Sequence, residues 1–150
     1  MEAKLMTWQK SDECSRRLVK IPGTGPIGAA LLTMKTPAPE LFRTGRQFAA
    51  WIGLTPKDHW SAGKVRLGVI TRAGNETLRS MLVVGATAVI LHAQRSCRAS
   101  PWLAELLKRK PAKLAAVALA NKIARVAWKL MVTGQSYSAN SAPVALASAA

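Results

Sequence analysis

The helical character of this chain is clearest in residues 111–134, which read PAKLAAVALANKIARVAWKLMVTG. Apolar residues recur there at the spacing of one helix face, which predicts a long helix from Pro111 to about Val132. Many residues on that face are small, so another helix can approach it closely. The predicted apolar face comprises Val117, Ala120, Ala124, Ala127 and Met131, and a polar face comprises Lys122, Arg125 and Lys129.

Two further helices are predicted before this one. Asn75 follows a glycine and can cap a helix that starts at Glu76 and extends to about Gln94. The pair Ser100-Pro101 starts a shorter helix. The face of the longer helix that we expect to be buried comprises Leu78, Met81, Leu82, Gly85 and Val89.

Two short helices are predicted in the first third of the chain. A glycine turn at residues 23–25 opens the first of them, and two prolines end it. Thr44 and Gln47 form a capping-box pattern for the second, which Gly53 closes. The expected apolar stripe of the first helix comprises Ile27, Ala30, Leu31 and Met34.

Between residues 64 and 69 the apolar period changes to two. Val65, Leu67 and Val69 alternate with polar or glycine residues, which predicts a short strand or hairpin. The predicted fold class is therefore mainly α: a compact helical domain with one short β-hairpin and a helix-hairpin-helix-like entry at the glycine turn.

The predicted organisation is one helical domain with a polar segment before it and a tail after it. Residues 1–17 show no sustained period, so we expect ordered structure to begin near Leu18. The helical domain is expected at 18–133, and the Ser- and Ala-rich residues 134–150 are expected to be unstructured.

The composition is strongly basic. The 150 residues include 22 lysines and arginines against 7 acids, so the formal net charge is +15. Such a charge favours polyanionic partners, because binding releases the counterions condensed on them. A hydrophobic fraction of 49% excludes a wholly disordered basic tail. Composition therefore indicates a folded domain whose partner is nucleic acid.

The sequence disfavours metal and membrane sites. Cys14 and Cys97 lie far apart, and with two histidines to add, no zinc site or other cofactor is expected. The longest apolar run, Met81 to Leu91, is short of the ~20 residues that a membrane span needs. The amino terminus has no apolar core of signal-peptide length. We therefore expect an intracellular protein with no membrane partner.

The clearest chemical signal is Ser61, in the tight turn of KDHWSAGKVRLG at residues 57–68. Lys57, Lys64 and Arg66 flank it, and cationic neighbours can hold a phosphodiester against a hydroxyl and stabilise the developing charge. The adjacent histidine and aspartate are too close in sequence to indicate a Ser-His-Asp triad. A plain turn serine is the alternative interpretation.

A second phosphate-facing signal is the glycine turn IPGTGP at residues 21–26. Such a turn offers backbone amides to a phosphate, although a plain turn before a helix is equally common. Trp60 is the tryptophan we expect to contact nucleic acid, whereas Trp51, Trp102 and Trp128 are expected in the core. The candidate phosphate- or nucleic-acid-binding residues are Gly23, Thr24, Gly25, Lys57, Trp60, Gly63, Lys64, Arg66, Arg72 and Arg79.

Several motifs occur in an order that resembles a known family. They are IPGTGP (21–26), FRTGRQFAAWIGLTP (42–56), SAGKVRLG (61–68), GNETLR (74–79) and ALANKIAR (118–125). Over about residues 18–132 the chain resembles the carboxy-terminal transposase domain of the insertion-sequence-110 family, and ALANKIAR is similar to the insertion-sequence-1111 branch in particular.

The resemblance implies DNA transposition. Members of that family are DNA recombinases that pair a RuvC-like nuclease domain with this helical domain, which supplies a nucleophilic serine. Ser61 occupies the place of that serine, although many relatives have glycine where this chain has Ala62. The resemblance further implies a structured guide RNA, homo-oligomers that share active sites, and action on the bacterial nucleoid in the cytoplasm.

The acidic metal ligands of the nuclease domain have no counterpart in this sequence. After residue 13 the acids are Glu40, Asp58, Glu76 and Glu105, and they fall on different predicted elements, so no two-metal carboxylate site is expected. Mg²⁺ would belong to the nuclease domain, supplied in cis or in trans. We therefore expect a truncated copy or one half of a split enzyme, inactive alone.

Three functions remain open. In the first, Ser61 attacks a phosphodiester, Lys64 and Arg66 bind the phosphate, and Arg72 and Arg79 contact neighbouring backbone. In the second, the chain is a non-catalytic nucleic-acid-binding module for which Ser61 is dispensable. In the third, the alanine-rich final helix docks the domain onto a partner that carries the acidic site.

Overall fold

The computed structural model describes residues 2–61, 63–71 and 74–138, and for residues 57–61 and 64–67 it describes the backbone alone. The described residues form a mainly helical fold with one two-stranded antiparallel sheet, which confirms the predicted fold class. In chain order the elements are α1 (Glu2–Ser11), α2 (Glu13–Leu18), α3 (Gly25–Lys35), a 3-10 helix (Pro39–Leu41), α4 (Gly45–Ile52), β1 (Pro56–Ser61), β2 (Lys64–Ile70), α5 (Glu76–Ser96), α6 (Pro101–Arg109) and α7 (Ala112–Thr133).

Helices α5 and α7 pack against each other at the centre of the fold. The α7 face is built from alanines, which carry one methyl group each and so allow the leucines of α5 to come close. Fully buried positions at this contact are Leu78, Leu82 and Ala86 of α5 and Ala120, Ala124 and Ala127 of α7. The predicted Asn75 cap is confirmed, because its side chain accepts a hydrogen bond from Leu78 N. The predicted start of α6 at Ser100-Pro101 is confirmed too, and Ser100 Oγ accepts a hydrogen bond from Leu103 N.

Helix α4 brings aromatic residues to the same core. Thr44 Oγ1 accepts a hydrogen bond from Gln47 N at 3.3 Å, and Gly53 is left-handed with φ +90°, so both predicted ends are confirmed. The ring of the fully buried Phe48 stacks on that of Trp51, with centroids 5.8 Å apart. Since α4 also packs on α7, the chain leaves α4 for the hairpin from a fixed point.

The amino-terminal residues, predicted as a polar segment before the domain, form two helices. Helices α1 and α2 both pack on α3, so the expectation that ordered structure begins near Leu18 is wrong. Local patterning gave no sign of this, because α1 has little apolar contrast between its faces and α2 is too short to show a period. Ser15 is fully buried, and the Arg17 guanidinium donates to Gly134 O at the carboxyl end of α7. The domain limits at 18 and 133 stay a prediction, and most of the predicted tail, from residue 139, lies outside the described residues.

The buried face of α3 differs from the predicted apolar stripe. Of the predicted stripe, Ala30 is fully buried, but Ile27 is 43% exposed and Met34 is 49% exposed. Ala29 and Leu32, outside the predicted stripe, are fully buried. The reason is that α3 packs against α1 and α2 as well as α5, and small residues fit between these neighbours. Gly28 is one of them: a Cβ at this position would lie 2.6 Å from Met81 Sδ of α5.

The predicted hairpin is confirmed as β1 and β2, which run antiparallel. The register shifts between Pro56 and Asp58, because their partners on β2 are Ile70 and Leu67 and β2 therefore carries one extra residue there. Val69 of β2 is 73% exposed, so this part of the hairpin faces solvent.

Helix α5 is the one helix, among the described residues, that has both the length and the mean hydropathy of a membrane span. A helix in the core of a globular protein meets the same criteria, and α5 buries one face against α7. This finding by itself assigns no location.

Candidate nucleic-acid interface

The predicted glycine turn lies between α2 and α3, so a helix precedes it and a helix follows it. Gly23 and Gly25 both have positive φ, +89° and +64°, which side-chain-bearing residues rarely adopt. A hydrogen bond from Thr24 N to Ile21 O, 3.2 Å long, closes the turn. The sequence IPGTG thus forms a compact connection whose shape depends on its glycines.

The turn is seated directly on the backbone of α5. A Cβ at Gly85 would lie 1.8 Å from Gly23 O, so the two glycines permit backbone contact that no other residue at position 85 would allow. Thr24 is 5% exposed, and its hydroxyl is buried without a hydrogen-bond partner among the described residues. Gly25 is exposed, and a Cβ there would meet nothing within 4 Å. Of the three turn residues predicted to bind phosphate, Gly25 is therefore the one that faces open space.

The hairpin tip places the predicted serine opposite a predicted cation in the backbone ladder. The Cα of Ser61 pairs with the Cα of Lys64, and that of His59 pairs with that of Arg66. Gly63 at the tip is exposed and has φ +75°. A Cβ there would have no atom within 4 Å, so glycine is favoured by the conformation of the turn and not by close packing. The side chains of Lys57, Trp60, Ser61, Lys64 and Arg66, and the whole of Arg72, lie outside the described residues.

The base of the hairpin is fastened to the helical body by two side-chain hydrogen bonds. Arg79 Nη1 of α5 donates to Ile52 O at 3.1 Å, at the carboxyl end of α4. Asn121 Nδ2 of α7 donates to Leu54 O at 3.2 Å, two residues further along. The three helices therefore hold the segment that leads into β1.

The return strand is fixed at the same place. Thr71 N donates to Thr55 O at 3.0 Å, and a Cβ at Gly74 would lie 1.8 Å from Trp51 O. Both ends of the hairpin are thus held against the end of α4. Arg79, a predicted phosphate ligand, is half-buried and takes part in this attachment.

Asn121 is the residue at this site that sequence reasoning missed. It lies between Ala120 and Lys122, next to the apolar face of a helix. A polar residue at such a position can equally be a solvent-exposed residue without a partner. The signal that could have identified it is its amide, which can donate a hydrogen bond to a backbone carbonyl on another element. The partner of that amide, Leu54 O, lies 67 residues away in the sequence, so the hydrogen bond could be identified only from the structure.

The carboxylates in the described part of the chain do not form a magnesium site. No group of three or more histidine, cysteine, aspartate or glutamate residues in that part could hold a metal ion. Glu40, Glu76 and Glu105 lie on the 3-10 helix, α5 and α6 respectively. No reaction step can therefore be assigned to a metal held by these residues.

Comparison with known proteins identifies the family. Residues 15–101 match the model of the transposase IS116/IS110/IS902 family. The chain is 66% identical over 139 residues to y4pF/y4sB of Sinorhizobium fredii, a protein named as a transposase, and this alignment covers 91% of the chain and 36% of that protein. It is 42% identical over 132 residues to a Pseudomonas aeruginosa protein named as a family 20 transposase, covering 87% of the chain and 39% of the relative.

A third relative carries the name of the insertion-sequence branch that the motif ALANKIAR resembles. The transposase for insertion sequence element IS1111A of Coxiella burnetii is 35% identical over 137 residues, which cover 91% of this chain and 38% of that protein. The chain thus spans well under half the length of the curated relatives it matches. On the family match, which includes the glycine turn, α4 and the hairpin, the chain belongs to the IS116/IS110/IS902 family of transposases.

Proposed function

We propose that this chain is the DNA-binding and strand-transfer part of an insertion-sequence transposase. The observation that carries the proposal is a serine at the tip of a hairpin that three helices hold in place, in a chain of this family. A hairpin fastened at its base can present its tip to a partner outside the helical body. The +15 charge of the chain matches a polyanionic partner.

In the proposed chemistry, Ser61 Oγ attacks the phosphorus of a DNA phosphodiester. An oxygen–phosphorus bond to serine forms, the bond from phosphorus to one deoxyribose oxygen breaks, and the serine proton ends on that leaving oxygen. The product is a covalent phosphoserine diester with one free DNA end. The number of phosphate ester bonds is unchanged, so the step is reversible and needs no oxidant, reductant or nucleotide.

The cations of the hairpin stabilise this transfer in the proposal. Residues opposite each other in an antiparallel pair are direct neighbours, so the pairing of Ser61 with Lys64 brings a lysine to the serine position. Positive charge beside the non-bridging phosphate oxygens stabilises the charge that grows in the transition state. Lys57 and Arg66 add to the same field, and Trp60 contacts a base or sugar.

Neighbouring backbone is held by the glycine turn in this proposal. A helix-hairpin-helix binds phosphates through backbone amides at its turn, and here α2, the turn and α3 follow in that order. The exposed Gly25 at the start of α3 is the expected contact point. Arg72, in the sequence between the hairpin and α5, and Arg79, near the start of α5, complete the proposed interface.

The remaining parts of the reaction belong to components outside this chain. The proposal includes a RuvC-like nuclease domain, in cis or in trans, which would supply the Mg²⁺ chemistry. It also includes a structured guide RNA, a homo-oligomer with shared active sites, and action on the nucleoid in the bacterial cytoplasm. In keeping with the share of the relatives that it spans, we expect the chain to be inactive alone.

The proposal is tested by recombination with the nuclease half supplied. A Ser61→Ala variant should lose strand exchange, whereas Ser80→Ala, on the exposed side of α5, should retain it. Both variants should bind DNA as the parent does, because neither removes a charge. Recombination by Ser61→Ala at the parent's rate would refute the assigned nucleophile.

A second candidate is a non-catalytic nucleic-acid-binding or assembly module. It is favoured by the excess of 22 basic over 7 acidic residues, which is enough to bind a polyanion without any reaction. It predicts that Ser61→Ala changes neither DNA binding nor association with a nuclease partner, and that no covalent product forms. The recombination assay with the nuclease half therefore separates the two functions.

A further inference from the structure

Four exposed cations lie where α6 connects to α7, outside the site predicted from the sequence. They are the last two residues of α6, the residue that follows it and the second residue of α7: Lys108, Arg109, Lys110 and Lys113. The last acid of the whole sequence is Glu105, so every charged residue after it is a lysine or an arginine. We call these four cations the α6–α7 corner.

The packing of the helices holds the α6–α7 corner in place. Helix α6 packs against α7, and near the start of α6 Trp102 contacts Lys122 of α7. Because this contact joins the start of α6 to the middle of α7, the two helices run antiparallel and the corner lies at their joined end. Leu103 is 2% exposed and Ala115 is fully buried, in one core cluster with Ile90 of α5. The four cations therefore belong to a packed part of the fold.

The helix dipoles account for two of these cations and not for the other two. The carboxyl end of a helix favours positive charge, so Lys108 and Arg109 suit the last turn of α6. The first turn of a helix favours negative charge, yet the first turn of α7 contains Lys113 and no acid. Lys110 lies between the two helices. The charges of Lys110 and Lys113 therefore have no explanation in helix stability.

The described part of the chain supplies no direct counter-charge to the α6–α7 corner. None of the four side chains forms a hydrogen bond or an ion pair with another described residue. Glu105 lies one turn before Arg109 and offsets part of the charge on α6, but Lys110 and Lys113 lie beyond it. A surface that serves only solubility mixes both signs of charge. A surface of one sign attracts a polyanion, because binding releases the counterions condensed on that polyanion.

The α6–α7 corner lies on the same helix as an attachment point of the hairpin. Asn121, which donates to Leu54 O at the base of the hairpin, comes eight residues after Lys113 on α7. With a rise of about 1.5 Å per residue, these two positions are roughly 12 Å apart along the helix axis. Successive base pairs of a DNA duplex are about 3.4 Å apart, so this distance corresponds to roughly three or four base pairs. One short duplex is therefore long enough to reach both places.

We propose that the α6–α7 corner is a second contact surface for the phosphodiester backbone of duplex DNA, a few base pairs from the attachment of the Ser61 hairpin. The choice of DNA rests on the proposed function, in which the chain exchanges DNA strands. Lys110 and Lys113 make the contact, and Lys108 and Arg109 add to the same positive field. A lysine binds phosphate as a point charge, so the surface holds the duplex irrespective of its sequence.

The test compares two variants that each remove two positive charges. Lys110→Gln with Lys113→Gln changes the α6–α7 corner, and Lys4→Gln with Lys10→Gln changes exposed lysines of α1, which packs on α2 and α3. None of these lysines forms an ion pair with another described residue, so both variants should keep the fold of the parent. The affinity of the purified full chain for a duplex of about 30 base pairs is measured as a function of salt.

The salt dependence reports the number of phosphate contacts. Each lost contact lowers the slope of log affinity against log salt by about 0.9. For the corner variant we expect a slope lower by about 2 and an affinity reduced on the order of ten-fold or more at 0.1 M salt. The α1 variant has the same net charge and should differ little from the parent. A general effect of net charge would instead weaken both variants equally.

Protection of the lysines from modification gives a second measurement. Acetylation of Lys110 and Lys113 by an amine-reactive ester, quantified by mass spectrometry, should slow when the duplex is added, while acetylation of Lys10 should not. Equal DNA affinity of the two double variants, or unchanged rates at Lys110 and Lys113 with the duplex bound, overturns the proposal. So does a corner variant that keeps its affinity for DNA and loses affinity only for a structured RNA or for the nuclease half. Failure of the parent chain to bind DNA at all refutes the proposed function as well.

Discussion

Two glycines set how closely the turn before α3 can sit on α5. Because a Cβ on Gly85 would lie 1.8 Å from Gly23 O, the backbone of one element must move if that carbon is added. No side chain can rotate to relieve a contact with a carbonyl oxygen. The position of the glycine turn, and with it Gly25, therefore depends on the absence of one methyl group.

We expect Gly85→Ala to destabilise the fold by about 2–3 kcal/mol, as overpacking at fixed backbone does. A fall in melting temperature of roughly 5–10 °C should be seen by calorimetry. The matched change Ser80→Ala adds no atom to the same helix and should shift the transition by less than about 2 °C. Equal melting of Gly85→Ala and the parent would show that the turn does not sit on α5 as described.

Lys122 of α7 gives a prediction about stability and pH. Partial burial, and then the charge of Arg125, lower its pKa from the usual 10.5, so the charged lysine disfavours the folded state. That cost is fully present below the lowered pKa and disappears as the pH rises from there to 10.5.

Lys122 Nζ lies 3.8 Å from the centroid of the Trp102 ring of α6, and Lys122→Met keeps a flexible chain over that ring while it removes the charge. We expect the melting temperature to rise by roughly 1–3 °C at pH 7, a small value because the group is partly solvated and the cation–π contact is lost. The gain should shrink as the pH approaches 10.5. A variant that melts below the parent at pH 7 would show that the contact with Trp102 outweighs the cost of burial and would contradict this prediction.

At the scale of elements, local signals predicted most of the architecture. Asn75, Ser100 and Thr44 each act within three residues of themselves, so the starts of α5, α6 and α4 could be predicted from the sequence. The hairpin could be predicted because alternation and a turn glycine are also local. The face of α3 could not, since α1, α2 and α5 together decide which of its residues are covered.

The same distinction applies to the candidate site. The position of Ser61 at a hairpin tip followed from its neighbours in sequence, and the register confirms that a tight turn follows it. Asn121 and Arg79 fasten the hairpin through partners 67 and 27 residues away, which no local pattern reveals. Trp102 was expected in the core but is 39% exposed. Its ring lies where α6 meets α7, and Lys122 Nζ of α7 lies over it.

Asn121 tests whether the hairpin base matters to function. Asn121→Asp keeps the size of the side chain but has no amide to donate to Leu54 O, and Asn121→Ala removes the group entirely. Both should destabilise the chain by about 1–2 kcal/mol, the cost of leaving a part-buried carbonyl unpaired. With the nuclease half supplied, strand exchange should fall more than DNA binding, which depends on charge. If strand exchange and DNA binding fall by the same factor, Asn121 contributes to stability alone.

At the scale of the whole molecule, the helical body holds two features that we propose contact nucleic acid. They are the glycine turn on α5 and the hairpin at the end of α4. With 22 basic residues against 7 acidic ones, the free chain repels itself, and a polyanion would relieve that repulsion. In this proposal the helices are a scaffold that fixes the distance between contacts on one nucleic-acid backbone.

The most direct measurement of the central claim is the site of covalent attachment to DNA. The chain, with the nuclease half supplied, is incubated with its DNA substrate, denatured and digested, and the cross-linked peptide is sequenced by mass spectrometry. We predict a phosphodeoxynucleotide on Ser61, which is absent from the Ser61→Ala variant and still attached to Ser61 in the Ser80→Ala variant. An adduct on any other residue, or strand exchange that proceeds without an adduct at position 61, would contradict it.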